Sequence, residues 1–295
     1  MVLLGESGRA QRVIDFHTHI FPEKIAGATI AKLESVGGIK AHTDGTLAGL
    51  KDSMMASGVD LSVVLPVVTK PGQFVSVNRY AAEISERDGI VSFGGVHPDT
   101  ENGKAEIDEI VSMGLKGIKL HPDYQNVFVD DIRYLRIISY ALEKGLLITF
   151  HAGVDIGLPE PVHCTPERSL HMIREVGADK KTQAQMIFAH TGGWRYWNEV
   201  EDYLVDTGCY LDISFSLDYI APEQFVRIAR SHGTEKILFA TDSPWGGQAE
   251  DIRAIQMLGL TDAELDRILY RNGAELLNGR CINCESMITE RGRDE

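Results

Sequence analysis

Eight short runs of apolar and β-branched residues are spaced along this chain, and most are followed by a polar loop and a helical pattern. They are RVIDF at 12–16, LSVVLP at 61–66, IVSFGGV at 90–96, LKGIKL at 115–120, LLITF at 146–150, QMIFA at 185–189, CYLDI at 209–213 and KILFA at 236–240. Strands that alternate with helices pair in parallel through right-handed crossovers. Eight such units in 295 residues predict an α/β fold, a (β/α)8 TIM barrel in a single domain. The alternative, an open doubly wound sheet, normally carries a glycine fingerprint after an early strand. Here the first strand runs into histidine instead.

The intervening segments, among them TLAGLKDSMMAS, VNRYAAEISER and IRYLRIISYALEK, repeat apolar residues at helical spacing. Most stop at a glycine before the next strand: Gly58, Gly89, Gly114, Gly145, Gly177, Gly208 and Gly233. Glycine accepts the left-handed conformation that closes a helix, so each marks a helix-to-strand turn. The interval between the first two strands is the longest and holds FPEKIAGATIAKLES, an extra helix placed to act as a lid. The expected division is an N-terminal extension over 1–11, the barrel over 12–279 and a polar tail over 280–295.

With 43% hydrophobic and 24% charged residues, the chain can bury a full core. No stretch of about 18 apolar residues occurs, and the N-terminus lacks a secretory pattern, so a cytoplasmic protein with no membrane partner is expected. The four cysteines, Cys164, Cys209, Cys281 and Cys284, are too few and scattered for a disulfide framework. Cys281 and Cys284 form a C-x-x-C, read as part of a surface tail rather than a structural zinc site because no second pair stands near it. A net charge of −14 without a basic block repels polyanions, so no nucleic-acid partner is expected.

Functional groups of a barrel sit at the C-terminal ends of its strands. Titratable residues recur there: His17 and His19 after strand one, His97 after three, Lys119 and His121 at four, His151 at five, His190 at six and Asp242 at eight. An H-x-H pair alone is weak, since residues at i and i+2 on a strand merely face one side. Further ligand-type groups at strands five, six and eight share only convergence on the barrel axis. Imidazole and carboxylate suit zinc or a similar divalent ion, and an ion with an open position lowers the pKa of bound water towards about 7.

The runs VIDFHTHIFP, GIKLHP, ITFHAG, FAHTGG and FATDSPW, in this order from 13 to about 278, resemble the amidohydrolase superfamily. More narrowly they resemble its amidohydrolase-related branch, which includes aminocarboxymuconate-semialdehyde decarboxylase. The resemblance implies one divalent metal ion, zinc by preference with manganese or another ion as alternatives. His17, His19, His151 and Asp242 match the metal ligands, and His190 matches the catalytic or second-ligand histidine. Lys119 stands where some superfamily members carry a carbamylated lysine bridging two metals, but K-x-H-P also occurs in the one-metal branch.

Other residues are open to two readings. Asp15 is a buried partner of the H-x-H or a structural polar contact. His97 and His121 bind substrate or anchor loops, and a buried Lys119 needs an anion, supplied by a substrate carboxylate or by Asp242. His163 lines the pocket or, the expected reading, lies at the surface; His42, His171 and His232 are ordinary loop or helix residues. Trp194, Arg195, Tyr196 and Trp245 follow strands six and eight and wall the site or pack, with Arg195 also read as substrate-binding.

The expected activity is hydrolysis of a small molecule (an amide, ester or lactone), with Asp242 and His190 as catalytic residues. Non-oxidative decarboxylation of an unsaturated carboxylic acid on the same site is the alternative. A TatD-type nuclease is opposed by the acidic charge and the missing strand-four glutamate, and a non-catalytic binding protein by the complete set of ligand-type residues. The expected partners are a small substrate carrying an anionic group, and a second copy of the chain in a homodimer.

Overall fold

The computed structural model describes residues 11–85 and 87–278. The polar tail and the C-x-x-C of Cys281 and Cys284 lie outside these residues. All eight predicted runs contain strands: β1 (Ile14–Thr18), β2 (Leu61–Val64), β3 (Ile90–Ser92), β4 (Gly94–Gly95), β5 (Gly117–Leu120), β6 (Leu147–Phe150), β7 (Met186–Phe188), β8 (Tyr210–Asp212) and β9 (Ile237–Leu238). The third run divides at Phe93 into β3 and β4, which gives nine strands for eight runs.

The described residues fall into two compact bodies, one made of residues 11–64, 87–91 and 213–278, the other of 65–85 and 92–212. In the first body β1 pairs in parallel with β2, Ile14 opposite Leu61 and Asp15 opposite Ser62. The register slips between Asp15 and Thr18, across His17. On the other edge of β1, Phe16 N donates to Phe239 O at 2.9 Å, and a parallel bridge joins Thr18 to Ser243. Every residue of β1 and β2 is buried, as expected for a parallel strand covered on both faces.

In the second body β4 to β8 lie side by side in chain order, all parallel, with Gly95 opposite Lys119, Lys119 opposite Thr149, and Phe150 opposite Phe188. The helix Ile132–Glu143 covers this sheet with Tyr134, Ile137, Ile138, Ala141 and Leu142, the i, i+3, i+4 face legible in the sequence. Each large apolar side chain so buried contributes about 1.5–3 kcal/mol.

The helix read as a lid is present as Glu23–Gly37 and buries Ala26 and Ile30 while Ile25 and Val36 stay exposed. Six of the seven helix-stopping glycines adopt positive φ. Gly208 is the exception. Asp206 takes the left-handed position of that turn, and Gly208 is required because a Cβ there would lie 2.4 Å from the Lys180 carbonyl oxygen.

Candidate metal and acid–base sites

The slipped end of β1 aims both histidines of the H-x-H at one point in the first body. His17 Nε2 and His19 Nε2 are 3.1 Å apart, and Asp242 Oδ1 lies 3.3 Å from the first and 3.1 Å from the second. Backbone contacts bring them together: Asp242 N donates to His17 O at 2.9 Å and His19 N to Ser243 O at 2.5 Å. Asp242 has φ of 64°, a conformation uncommon outside glycine that is held where structure over-determines it.

Ser214 Oγ meets His17 Nδ1 at 3.0 Å. With Nδ1 donating to that hydroxyl, the His17 Nε2 lone pair faces the other two groups. Two imidazole nitrogens and a carboxylate oxygen so close repel one another unless a cation or a proton stands among them. Separations near 3 Å are also what ligands at about 2.0–2.1 Å from one ion span. The donor set therefore fits a divalent metal.

Beneath this group Asp15 is fully buried and answers four donors: His17 N at 3.3 Å and Thr241 N at 3.0 Å on Oδ1, Thr241 Oγ1 at 2.6 Å and Gln248 Nε2 at 2.8 Å on Oδ2. Burial pushes its carboxyl up to about 6, against the pull of those hydrogen bonds. Of the two readings of Asp15, these donors, backbone amides and the Thr241 and Gln248 side chains, fit the structural polar contact: it ties the β1 end to the 241–243 segment. Gln248 and Ser214, which complete the arrangement, carry no local motif.

The second body holds another group of the same composition, His121, His151 and Asp155, all buried. Here His121 Nδ1 accepts from Tyr124 N at 3.3 Å, capping the short helix Pro122–Gln125. A backbone amide can only donate, so the neutral His121 ring carries its proton on Nε2, which faces Asp155 Oδ2 at 3.5 Å. His121 offers a donor there and no ligand lone pair. Its ring stacks on His151, centroids 4.1 Å apart and 7° from parallel.

His151 Nδ1 meets His190 Nε2 at 3.0 Å. His190 and Thr191 both have positive φ, and His190 is fixed by its own N–H to Asp212 Oδ1 at 3.3 Å and by Trp197 Nε1 donating to its carbonyl at 3.1 Å. His163, expected at the surface, is buried: Asp123 Oδ1 takes both its backbone N–H and its Nδ1, at 3.1 and 3.0 Å. A buried carboxylate needs donors, and His163 supplies two. Burial raises the Asp123 pKa and the His163 hydrogen bonds draw it back.

His97 is buried with Nδ1 accepting from Asp99 N at 3.1 Å and a further hydrogen bond to the Thr69 backbone, an arrangement that anchors loops. Burial lowers its pKa. Lys119 is buried in β5. Arg195 is exposed, its guanidinium 4.6 Å above the Trp194 ring. His171 is exposed on its helix and pairs with Asp130 at 3.0 Å. Asp123 and Asp155 were not singled out from sequence. The visible signal for Asp123 was the repetition of H-P-D after β4 and β5.

A parallel α/β chain with histidines and aspartates at its strand ends defines a class, and comparison names the family. The amidohydrolase family model matches residues 14–279. The chain belongs to the amidohydrolase family, a metal-dependent TIM-barrel family, and is an enzyme of it. Solved structures agree on the fold at low identity. An uncharacterized TIM-barrel protein from Bordetella bronchiseptica is 16% identical, with a TM-score of 0.70 over 91% of this chain and 99% of its own. A 5-carboxyvanillate decarboxylase from Novosphingobium aromaticivorans, solved with manganese and 4-hydroxy-3-methoxy-5-nitrobenzoic acid, is 15% identical, with a TM-score of 0.65 over 93% and 98%. A 2,6-dihydroxybenzoate decarboxylase bound to 2,6-dihydroxybenzoate is 12% identical, with a TM-score of 0.63 over 90% and 99%. No curated protein matches the chain. Among the described residues no helix is long and apolar enough to cross a membrane.

Proposed function

We propose that this enzyme uses one divalent metal ion to hydrolyse a small amide, ester or lactone that carries an anionic group. The observation that supports it best is the set of His17 Nε2, His19 Nε2 and Asp242 Oδ1, all within 3.3 Å of one another, with His17 oriented by Ser214. His17, His19 and Asp242 would hold the ion, zinc by preference, and the family resemblance adds His151 as a fourth ligand. When bound, the ion supplies Lewis acidity. Asp242 accepts the proton of the attacking water, and His190 returns a proton to the leaving group. Lys119, His121, His97 and Arg195 remain the proposed substrate-binding residues. Lys119 and Arg195 bring positive charge, whereas protein contacts already engage the rings of His121 and His97.

Decarboxylation is the second reading, favoured by the two decarboxylases of the same fold, one of them solved with manganese. There His190 would protonate the carbon that loses carbon dioxide. Elemental analysis of purified protein, followed by a screen of lactones, amides and unsaturated or aromatic carboxylates, separates the readings. Hydrolysis releases a titratable acid from a lactone or amide; decarboxylation releases carbon dioxide and leaves the other substrates untouched. A protein without a stoichiometric divalent ion, inactive on every class, would sink both.

A further inference from the structure

Four buried side chains of the second body form a line: His163, Asp123, His151 and His190. Asp123 stands on the short helix after β5, and its Oδ1 is taken up by the two donors of His163. Its Oδ2 has no hydrogen-bond partner among the described residues and lies 3.8 Å from His151 Nε2, beyond hydrogen-bond length and within reach of an ion pair. On the other side of the ring, His151 Nδ1 and His190 Nε2 face each other at 3.0 Å.

Two neutral imidazoles in such a contact share one proton and cannot by themselves decide which ring donates it. An ionised carboxylate only accepts, so the nitrogen turned to Asp123 is the one that favours a proton. His121 does not compete for Asp123: it stacks on His151 and directs its own Nε2–H to Asp155.

We propose that Asp123, clamped by His163, is a positioning residue that keeps His151 in the Nε2–H form and leaves Nδ1 as the atom through which His151 accepts from His190 or binds a divalent ion. The metal half of this assignment rests on the proposed function; the ring-proton half stands without it. A carboxylate behind a histidine ligand orients the ring and raises its basicity, and losing such a partner typically weakens metal binding about 10–100-fold.

The test is nitrogen-15 spectroscopy of histidine-labelled, metal-free full-length protein, with the His151 signals assigned by His151→Gln. The expected result is a protonated Nε2 and an unprotonated Nδ1. Asp123→Asn should erase that preference and weaken zinc affinity about 10–100-fold in a chelator competition, and His163→Gln should shift both in the same direction by less. A merely structural Asp123 would lower the melting temperature of its variant without moving the His151 ring signals. His151 protonated on Nδ1 in the wild-type protein, or unchanged ring signals in a folded Asp123→Asn, overturns the assignment. Should Asp123→Asn not fold, the wild-type spectrum and His163→Gln still decide. If wild-type protein takes up no zinc, the proposed function fails while the wild-type ring signals still rule on this assignment.

Discussion

Two histidines and an aspartate meet at the end of β1 in one body, and two histidines and an aspartate meet after β5 and β6 in the other, yet the two groups are chemically different. At the β1 end, His17 Nδ1 rests on a serine hydroxyl, which can accept its proton and release the Nε2 lone pair. After β5, His121 Nδ1 receives a backbone amide, which can only donate, so the proton stays on Nε2. His17 thus offers a ligand lone pair and His121 a hydrogen-bond donor. Residue type and spacing therefore do not define a metal site until the partner of the far ring nitrogen is known.

The sharpest way to break this contrast is to remove one carboxylate from each group. Asp242→Ala deletes a ligand and the proposed base, and kcat/KM should fall about 10³–10⁴-fold with loss of the ion, read by steady-state kinetics and elemental analysis. Asp155→Asn should keep the ion. Equal metal loss in both variants would show that Asp155 coordinates too.

Next in size is His190→Ala, expected to retain metal while kcat falls about 10²-fold or more. Metal leaving with the activity would make His190 a ligand rather than an acid–base group. Ser214→Ala then tests the hydroxyl directly: metal affinity should drop about 10–100-fold, measured against a chelator, with the fold intact. An unchanged affinity would mean that His17 holds its orientation without the serine.

Substrate charge comes next. Lys119→Met and Arg195→Met should each raise KM for an acidic substrate about tenfold or more, the scale of one lost charge-assisted hydrogen bond, and leave a neutral analogue unaffected. A parallel rise for the neutral analogue would point to disturbed packing instead.

The smallest effect concerns Asp251, whose carboxyl is pushed up to about 8 by burial and then by Asp15, Asp218, Glu250 and Asp242. A folded-state pKa above the unfolded value of 3.8 means that the native state binds the extra proton between those limits. The stabilising protonation is complete below about pH 4 and is lost as pH rises through about 8. Asp251→Asn should therefore raise the melting temperature of the metal-free protein by about 2 °C or more at pH 8, and by less at pH 5. A gain of equal size at both pH values would assign the effect to packing.

Much of the frame was legible from sequence, because each strand declares itself by a local apolar run and each helix end by a local glycine. The third run shows the limit: IVSFGGV reads as one strand, but Phe93 parts β3 from β4, and the glycines that follow fit close backbone, a Cβ on Gly95 lying 3.2 Å from the Pro66 carbonyl oxygen. His163 shows it again. Its loop is polar and proline-flanked, the usual mark of a surface position, and only Asp123 from another segment explains its burial.

By itself the sequence determined the strand positions, the glycine-closed helices and the identities of the strand-end groups, since these depend on residues a few positions apart. Only the tertiary structure decided which ring nitrogen each histidine offers. That choice rests on partners far along the chain: Ser214 lies 197 residues from His17, Gln248 lies 233 from Asp15, and Asp123 lies 40 from His163. A hydrogen bond fixes a tautomer through the geometry of two atoms in contact, and no local pattern encodes contacts at such separations.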